Sequence, residues 1–357
     1  MASFGFWRRY LARYATLAAA PRFVGPRDRL HYYERAPLWR PEQGLSAFIA
    51  ELVRDQQLAE EAPRVRAFLE FWAPRQALAA RGSVLIEFSF TTNKPGFGMM
   101  LYGENRAMTR AFREWCRIEG IAEDLAGRSA AICATFDDAD LAMVRAEFRP
   151  GDPTRTSLTS SWFFDPLRWS GGISSRLARL PPAYQDPALT ARVRAIEARL
   201  MPDFFPLFLG FSRDGGATES KVYFVRYANE PPLAPEGRVS RLLDDLQMDA
   251  ARLAQVRAAF LRLWEASSEP MTQVLLDVSG NTTQPPRMNL ITCGTRTGAV
   301  KDALRELDDP RFDPRSVLPF ERVLQTGRAK YVALRLTPAG LSPRVKLYGQ
   351  ACFALGS

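Results

Sequence analysis

The spacing of apolar residues changes character near residue 80. Before it, they recur at helical intervals. One helix is predicted over about 45–61. A second is predicted over about 64–80, with Val65, Phe68, Leu69 and Trp72 on one face. Beyond it, short runs alternate apolar with polar residues and are bounded by turns rich in Gly, Pro, Asn and Thr. Residues 83–90 and 97–102 read as two strands around a turn at 91–96, followed by a helix carrying Met108, Phe112 and Trp115. This unit recurs at 205–212 with 221–227, at 271–279 with 287–292, and at 330–337 with 344–350. A weaker copy is read at 130–136 with 156–164. Helices are predicted between the copies at about 187–201, 249–267, 297–307 and 315–326. The expectation is an α/β protein with ten antiparallel strands in five pairs. Residues 1–80 form an N-terminal helical segment packed on a strand-rich domain at 81–357.

The alternation also says which way the strands face. Arg344, Lys346, Tyr348 and Gln350 oppose Val345, Leu347, Gly349 and Ala351. Glu87 and Ser89 oppose Ile86, Phe88 and Phe90. Lys221 and Tyr223 oppose Val222 and Phe224, and Arg287 and Asn289 oppose Met288 and Leu290. Amphipathic helices need an apolar surface to cover, so the apolar strand faces point at helices. The other face collects Glu, Lys, Arg, Asn, Gln and Tyr. It is solvated if the sheet is open, and lines a chamber if ten strands close, since about eight already leave an interior that side chains just fill.

Composition narrows the chemistry. The 357 residues hold one histidine, His31, which argues against a Ser-His-Asp triad or a histidine zinc site. Cys116, Cys133, Cys293 and Cys352 are far apart in sequence, so no CxxC metal or redox signature is present and reduced, cytoplasmic thiols are expected. The net charge of +9 is carried by scattered Arg, with no basic run beyond Arg8-Arg9. That argues against nucleic acid and leaves an anionic membrane face or a small polyanion as partner. Arg13 breaks the apolar run near the N-terminus, so a short amphipathic helix is expected there rather than a signal peptide. Residues 21–45 read as irregular surface chain.

Two segments stand out: Lys221-Val-Tyr223 and Arg344-Val-Lys346-Leu-Tyr348. A period of two puts each Lys and its Tyr on the same strand face. One reading is an ordinary amphipathic strand. The other is a cationic cup for a diphosphate, with Lys as point charge, Arg as bidentate fork, and Tyr rings shielding a carbocation. Glu87, on the polar face of the first strand, is then a candidate general base. The acidic clusters Asp137-Asp138-Ala-Asp140, Asp244-Asp245 with Asp249, and Asp308-Asp309 with Asp313 lack DDxxD spacing and read as caps of helix starts. No GxGxxG or P-loop motif occurs.

With Glu87-Phe88-Ser89 in the first strand and the Lys-x-Tyr and Arg-x-Lys-x-Tyr strands, the chain from about residue 80 resembles the aromatic prenyltransferases of the ABBA, or PT-barrel, type. It is most similar to the dimethylallyltryptophan synthase group with its bacterial indole and peptide-modifying members. The resemblance implies a ten-stranded antiparallel barrel of α-β-β-α units, ringed by helices around a polar lumen. It implies transfer of a prenyl group from dimethylallyl or geranyl diphosphate to indole or Trp, phenol or Tyr, or a peptide side chain. Glu87 then matches the carboxylate that binds and deprotonates the acceptor. Lys221, Arg344 and Lys346 match diphosphate-binding cations, with Arg287 as a further one, and Tyr223 and Tyr348 match the tyrosine shield. No cofactor is required, with Mg²⁺ optional, and neither nucleic acid nor membrane insertion is expected. The alternative is a non-catalytic barrel that binds an anionic or isoprenoid ligand. Three departures stand out. Met99-Met100 occupies the place of an Arg, the second strand pair has only Arg155 as a nearby cation, and Asn289 stands where Tyr is common.

Overall fold

A computed structural model describes residues 38–39, 41, 43–75, 83–120, 123–136, 141–151, 158–163, 172–200, 204–214, 217–228, 250–268, 272–281, 286–337, 340–342 and 344–354. The amphipathic helix expected near the N-terminus, Arg155, and the acidic residues 137–140 and 244–249 lie outside them. The two long N-terminal helices are α1 (Leu45–Asp55) and α2 (Ala62–Trp72). Val65, Phe68, Leu69 and Trp72 are all buried, as their spacing predicts.

The strands are β1 (Leu38–Trp39), β2 (Ser83–Thr91), β3 (Phe97–Glu104), β4 (Leu141–Phe148), β5 (Leu158–Phe163) and β6 (Phe205–Asp214). They continue with β7 (Ala217–Ala228), β8 (Thr272–Ser279), β9 (Arg287–Arg296), β10 (Arg328–Thr337), β11 (Gly340–Leu341) and β12 (Lys346–Ala354). From β2 to β10 each strand is hydrogen-bonded, antiparallel, to the next. β12 pairs along its length with β2, from Lys346↔Thr91 to Ala354↔Ser83. Its other edge pairs with β10 over Tyr331↔Tyr348 to Ala333↔Lys346. Where β10 departs, Leu38 and Trp39 of β1 take over that edge in parallel, opposite Gln350 and Ala351. The stretch read as irregular therefore supplies an edge cover. The result is a curled antiparallel sheet with helices packed on its apolar face.

That face is built from the alternating residues read above and is largely aromatic. Phe88 meets Phe48 of α1 at 5.3 Å between ring centroids, and Phe48 also meets Phe353 at 5.1 Å. The helix α3 (Asn105–Ile118) buries Met108, Phe112 and Trp115. Phe112 packs edge-on against Phe211 of β6 at 5.6 Å, and Trp115 against Phe68 of α2 at 5.8 Å. Glu104 caps α3 by accepting from the backbone N–H groups of Arg106 and Ala107. On β12, Gly349 lies against the short helix Leu318–Leu324, where an added Cβ would overlap Leu324 Cδ1. Gly349→Ala is expected to lower stability by about 1–3 kcal/mol through overpacking. A chemical-denaturation midpoint reads this, and an unchanged midpoint would contradict the packing.

The weak second copy is corrected by the structure. Residues 130–136, read as a strand, belong mostly to helix α4 (Glu123–Thr135). Leu125, Ser129, Ile132 and Phe136 are buried at helical spacing, and the Ala-rich stretch favours helix. The strand comes later, as β4, with Ala142, Val144, Ala146 and Phe148 buried on alternate positions. A short apolar run flanked by polar residues fits either element until its neighbours are placed.

Candidate active site

The polar strand face gathers charge in two places. The first is around Glu87 on β2, which is only 4% exposed. Lys330 of β10, 1% exposed, donates from Nζ to Glu87 Oε2. The Tyr102 hydroxyl lies 3.5 Å from Glu87 Oε1. Simple alternation puts Lys330 beside Val332, on the helix side. The strand avoids that by an irregularity: Ala329 and Val332 are both fully buried in the core, an odd interval apart. Lys330 and Tyr331 between them turn to the polar face, with Lys330 Nζ 4.9 Å from the Tyr331 ring centroid. On the neighbouring strand, Gly294 lies between the partners of Ala329 and Tyr331 with φ +65, a conformation glycine adopts without strain. Two ionised groups this deep are tolerable only as a pair.

The second place is around Glu147 on β4. Its Oε1 accepts from Arg145 and, at 3.3 Å, from Lys346 Nζ, and its Oε2 accepts from Arg149 at 2.5 Å. Arg145 Nη2 also lies 3.4 Å from Ser89 Oγ on β2. Burial would raise the Glu147 carboxyl, but Arg145, Lys346 and Arg149 hold it well below the usual carboxylate range. Burial would lower Arg145, and Glu147 with Tyr348, Tyr223 and Glu87 raises it instead. Lys346 is pulled down to about 7 by burial and by Arg145, against the attraction of Glu147. Tyr223 is pushed far up by burial and Asp277, and Tyr348 is pushed up by burial, so both are neutral hydroxyls near pH 7.

These interactions link β2, β4, β7, β10 and β12 across the polar face. Arg145 and Arg335 both act on Tyr223 and on Tyr348. Each tyrosine ring has an aromatic neighbour set edge-on, Phe208 for Tyr223 at 5.9 Å and Tyr331 for Tyr348 at 6.2 Å. Lys221 shares the face of Tyr223 and pairs with Glu219 at 2.8 Å. Arg287 sits in register with the buried Asp277. Arg344 does not join this group. It is exposed, ahead of β12.

The departures noted in the sequence acquire partners here. Met100 is in register with Arg145, so a cation stands on the adjacent strand where the resemblance places one on β3. Asn289 accepts from Arg335 Nε at 3.1 Å, bringing in another cation. Sequence reading missed Arg145, Glu147 and Arg149 because their strand was misplaced. With β4 at 141–148, the alternate positions 145, 147 and 149 read Arg, Glu, Arg. It missed Lys330 because a strand irregularity shifts its face, although a lysine on an apolar strand face is itself a warning. Of the acidic clusters, Asp313 caps the 3₁₀ turn at Pro314–Val317, and Asp309 pairs with Arg311 and Arg252. Among the described residues no group of three or more His, Cys, Asp or Glu side chains is placed to hold a metal ion. None of their helices is long and apolar enough to cross a membrane.

No family model and no curated protein matches the sequence. The fold is matched by solved structures. AnaPT from Neosartorya fischeri superposes with a TM-score of 0.58 at 9% identity, covering 98% of each chain. The 6-dimethylallyltryptophan synthase of Micromonospora olivasterospora, solved in complex with DMASPP and Trp, gives 0.59 at 15% identity over 85% of this chain and 95% of that one. The NotF prenyltransferase gives 0.56 at 11% identity over 94% and 97%. The chain thus shares the fold of these solved structures, the fold that its strand motifs lead one to expect.

Proposed function

We propose that the protein transfers an allylic prenyl group from dimethylallyl or geranyl diphosphate to an electron-rich acceptor: an indole, a phenol, or such a side chain in a peptide. The observation that carries the reading is one polar sheet face on which a cation cluster, two half-buried neutral tyrosines and a buried carboxylate converge. In this reading the strands close as a ten-stranded PT barrel and the polar face is its lumen. The neighbour solved with DMASPP and Trp supports a prenyl diphosphate and an aromatic partner.

The roles follow from charge. Lys346, Lys221 and Arg287, joined by Arg145, hold the diphosphate. The allylic C–O bond breaks and its electron pair leaves with the diphosphate oxygen, whose developing charge these cations stabilise. The cations take over the neutralising work that a metal would do, so Mg²⁺ is optional. Exposed Arg344 meets the donor at the rim. Tyr223 and Tyr348 flank the allylic cation with ring faces and exclude water. An aromatic carbon of the acceptor attacks, and the ring proton passes to Glu87 Oε1, because Oε2 is held by Lys330. The enzyme works in the cytoplasm.

Titration with the thiolodiphosphate analogues of both donors tests the donor half. The expected result is saturable binding displaced by inorganic diphosphate. Absence of binding, with salt-sensitive affinity for generic duplex DNA instead, would contradict the reading.

A further inference from the structure

We infer that Glu147 is an internal counter-anion that holds the diphosphate-binding cations assembled and is displaced from them when a diphosphate arrives, so that the site selects diphosphate over monophosphate. The inference rests on the prenyltransferase reading and deepens it by assigning an intramolecular competitor to the donor's charged end.

Arg145 of β4, Arg149 just beyond its end and Lys346 of β12 meet one carboxylate, which uses both oxygens on them. Without an anion between them, three cations so placed repel one another. A carboxylate offers guanidinium groups the same planar two-oxygen pattern as a phosphoryl group. Glu147 thus occupies with its own side chain the place an anionic ligand would take. The group is reachable: the side chains of Arg145, Glu147, Arg149 and Lys346 are 18%, 14%, 24% and 20% exposed. An open cleft lined by Ser89, Thr91, Gly96, Glu147 and Arg149 leads to it.

A tethered carboxylate competes at high effective concentration. A ligand with one phosphoryl group brings little more charge than the carboxylate it must replace. A diphosphate brings more charge and more oxygens, spans several cations at once, and wins. The same competition weakens the hold on the diphosphate product and speeds its release.

The test uses the full-length protein and two probes, inorganic diphosphate and inorganic monophosphate, titrated calorimetrically at constant ionic strength. Glu147→Gln keeps the shape and removes the charge. It is expected to bind diphosphate about tenfold tighter than the parent protein and monophosphate tighter by a larger factor, so that selectivity narrows. Unchanged or weaker diphosphate binding, or unchanged selectivity, would overturn the inference. Should the Gln variant fail to fold, Glu147→Asp keeps the charge but cannot reach all three cations, and several-fold tighter diphosphate binding is expected. Unchanged or weaker binding there overturns the inference equally. Failure of the underlying reading looks different. If the parent protein does not bind diphosphate, and Lys346→Ala changes nothing, the donor site is wrong whatever Glu147 does. If the parent binds with dependence on Lys346 and the Glu147 variants bind no tighter, only the counter-anion role is lost.

Discussion

Glu87→Gln is expected to lower prenyl transfer by about a hundredfold or more while leaving donor binding nearly unchanged. The amide keeps the hydrogen-bonding shape but cannot take the acceptor's proton, and general-base catalysis contributes on the order of 10²–10⁴. The structure adds a consequence for stability. Lys330 is 1% exposed and donates a hydrogen bond from its ammonium group to Glu87. Removing one partner of a buried ion pair costs about 3–5 kcal/mol, since the other charge is left uncompensated. Glu87→Gln is therefore expected to lower the unfolding midpoint as well as the rate. Lys330→Met in the same protein should recover most of the stability, because a neutral pair no longer strands a charge. It should recover none of the turnover. Steady-state kinetics and thermal unfolding of the two single variants and the double variant separate the effects. Full activity in the double variant would remove Glu87 from catalysis.

Lys346→Ala is expected to weaken donor binding roughly tenfold to a hundredfold below pH 7, the loss of one charge-assisted contact of about 1.5–3 kcal/mol. Lys221→Ala should lose affinity in the same direction. The pH dependence separates the two lysines. Lys346 is lowered to about 7 by burial and Arg145, with Arg335 adding to the effect and Glu147 opposing it. A bound diphosphate favours the ammonium form, so binding raises this pKa and takes up a proton. As the pH rises above about 7, affinity should therefore fall, by up to tenfold per pH unit, until the raised pKa of the complex is passed. Diphosphate has its own ionisation, so the informative quantity is the difference between parent and variant. The extra slope should vanish in Lys346→Ala and persist in Lys221→Ala. Parallel profiles in all three proteins would place Lys346 outside the donor site.

The parts legible in the sequence are those set by strict local periodicity. Four of the five strand pairs lie where their alternation places them, and the apolar halves of Ser83–Thr91, Ala217–Ala228 and Lys346–Ala354 face the helices as their period demands. Glu87, Tyr223, Lys346 and Tyr348 consequently share the polar face, while Arg344 falls just short of the strand whose alternation it was counted in. The losses come from two interactions that periodicity does not encode. An apolar stretch at 130–136 fits strand or helix alone, and only the packing of Ile132 and Phe136 into the core decides it. That one displacement hid Arg145, Glu147 and Arg149. Lys330 was hidden because an irregular strand inverts the facing that a period of two predicts, and the conformation of Gly294 across the ladder belongs to that geometry.

Prenyl transfer is read most directly from product mass. The purified protein is incubated with dimethylallyl or geranyl diphosphate and a panel of indoles, phenols and Trp- or Tyr-containing peptides, and the acceptors are read by mass spectrometry alongside released diphosphate. Acceptors carrying one added prenyl group are expected in step with diphosphate release, both strongly reduced in Glu87→Gln. Donor binding with neither prenylated acceptor nor diphosphate release across the panel would contradict prenyl transfer and leave a protein that only carries its ligand.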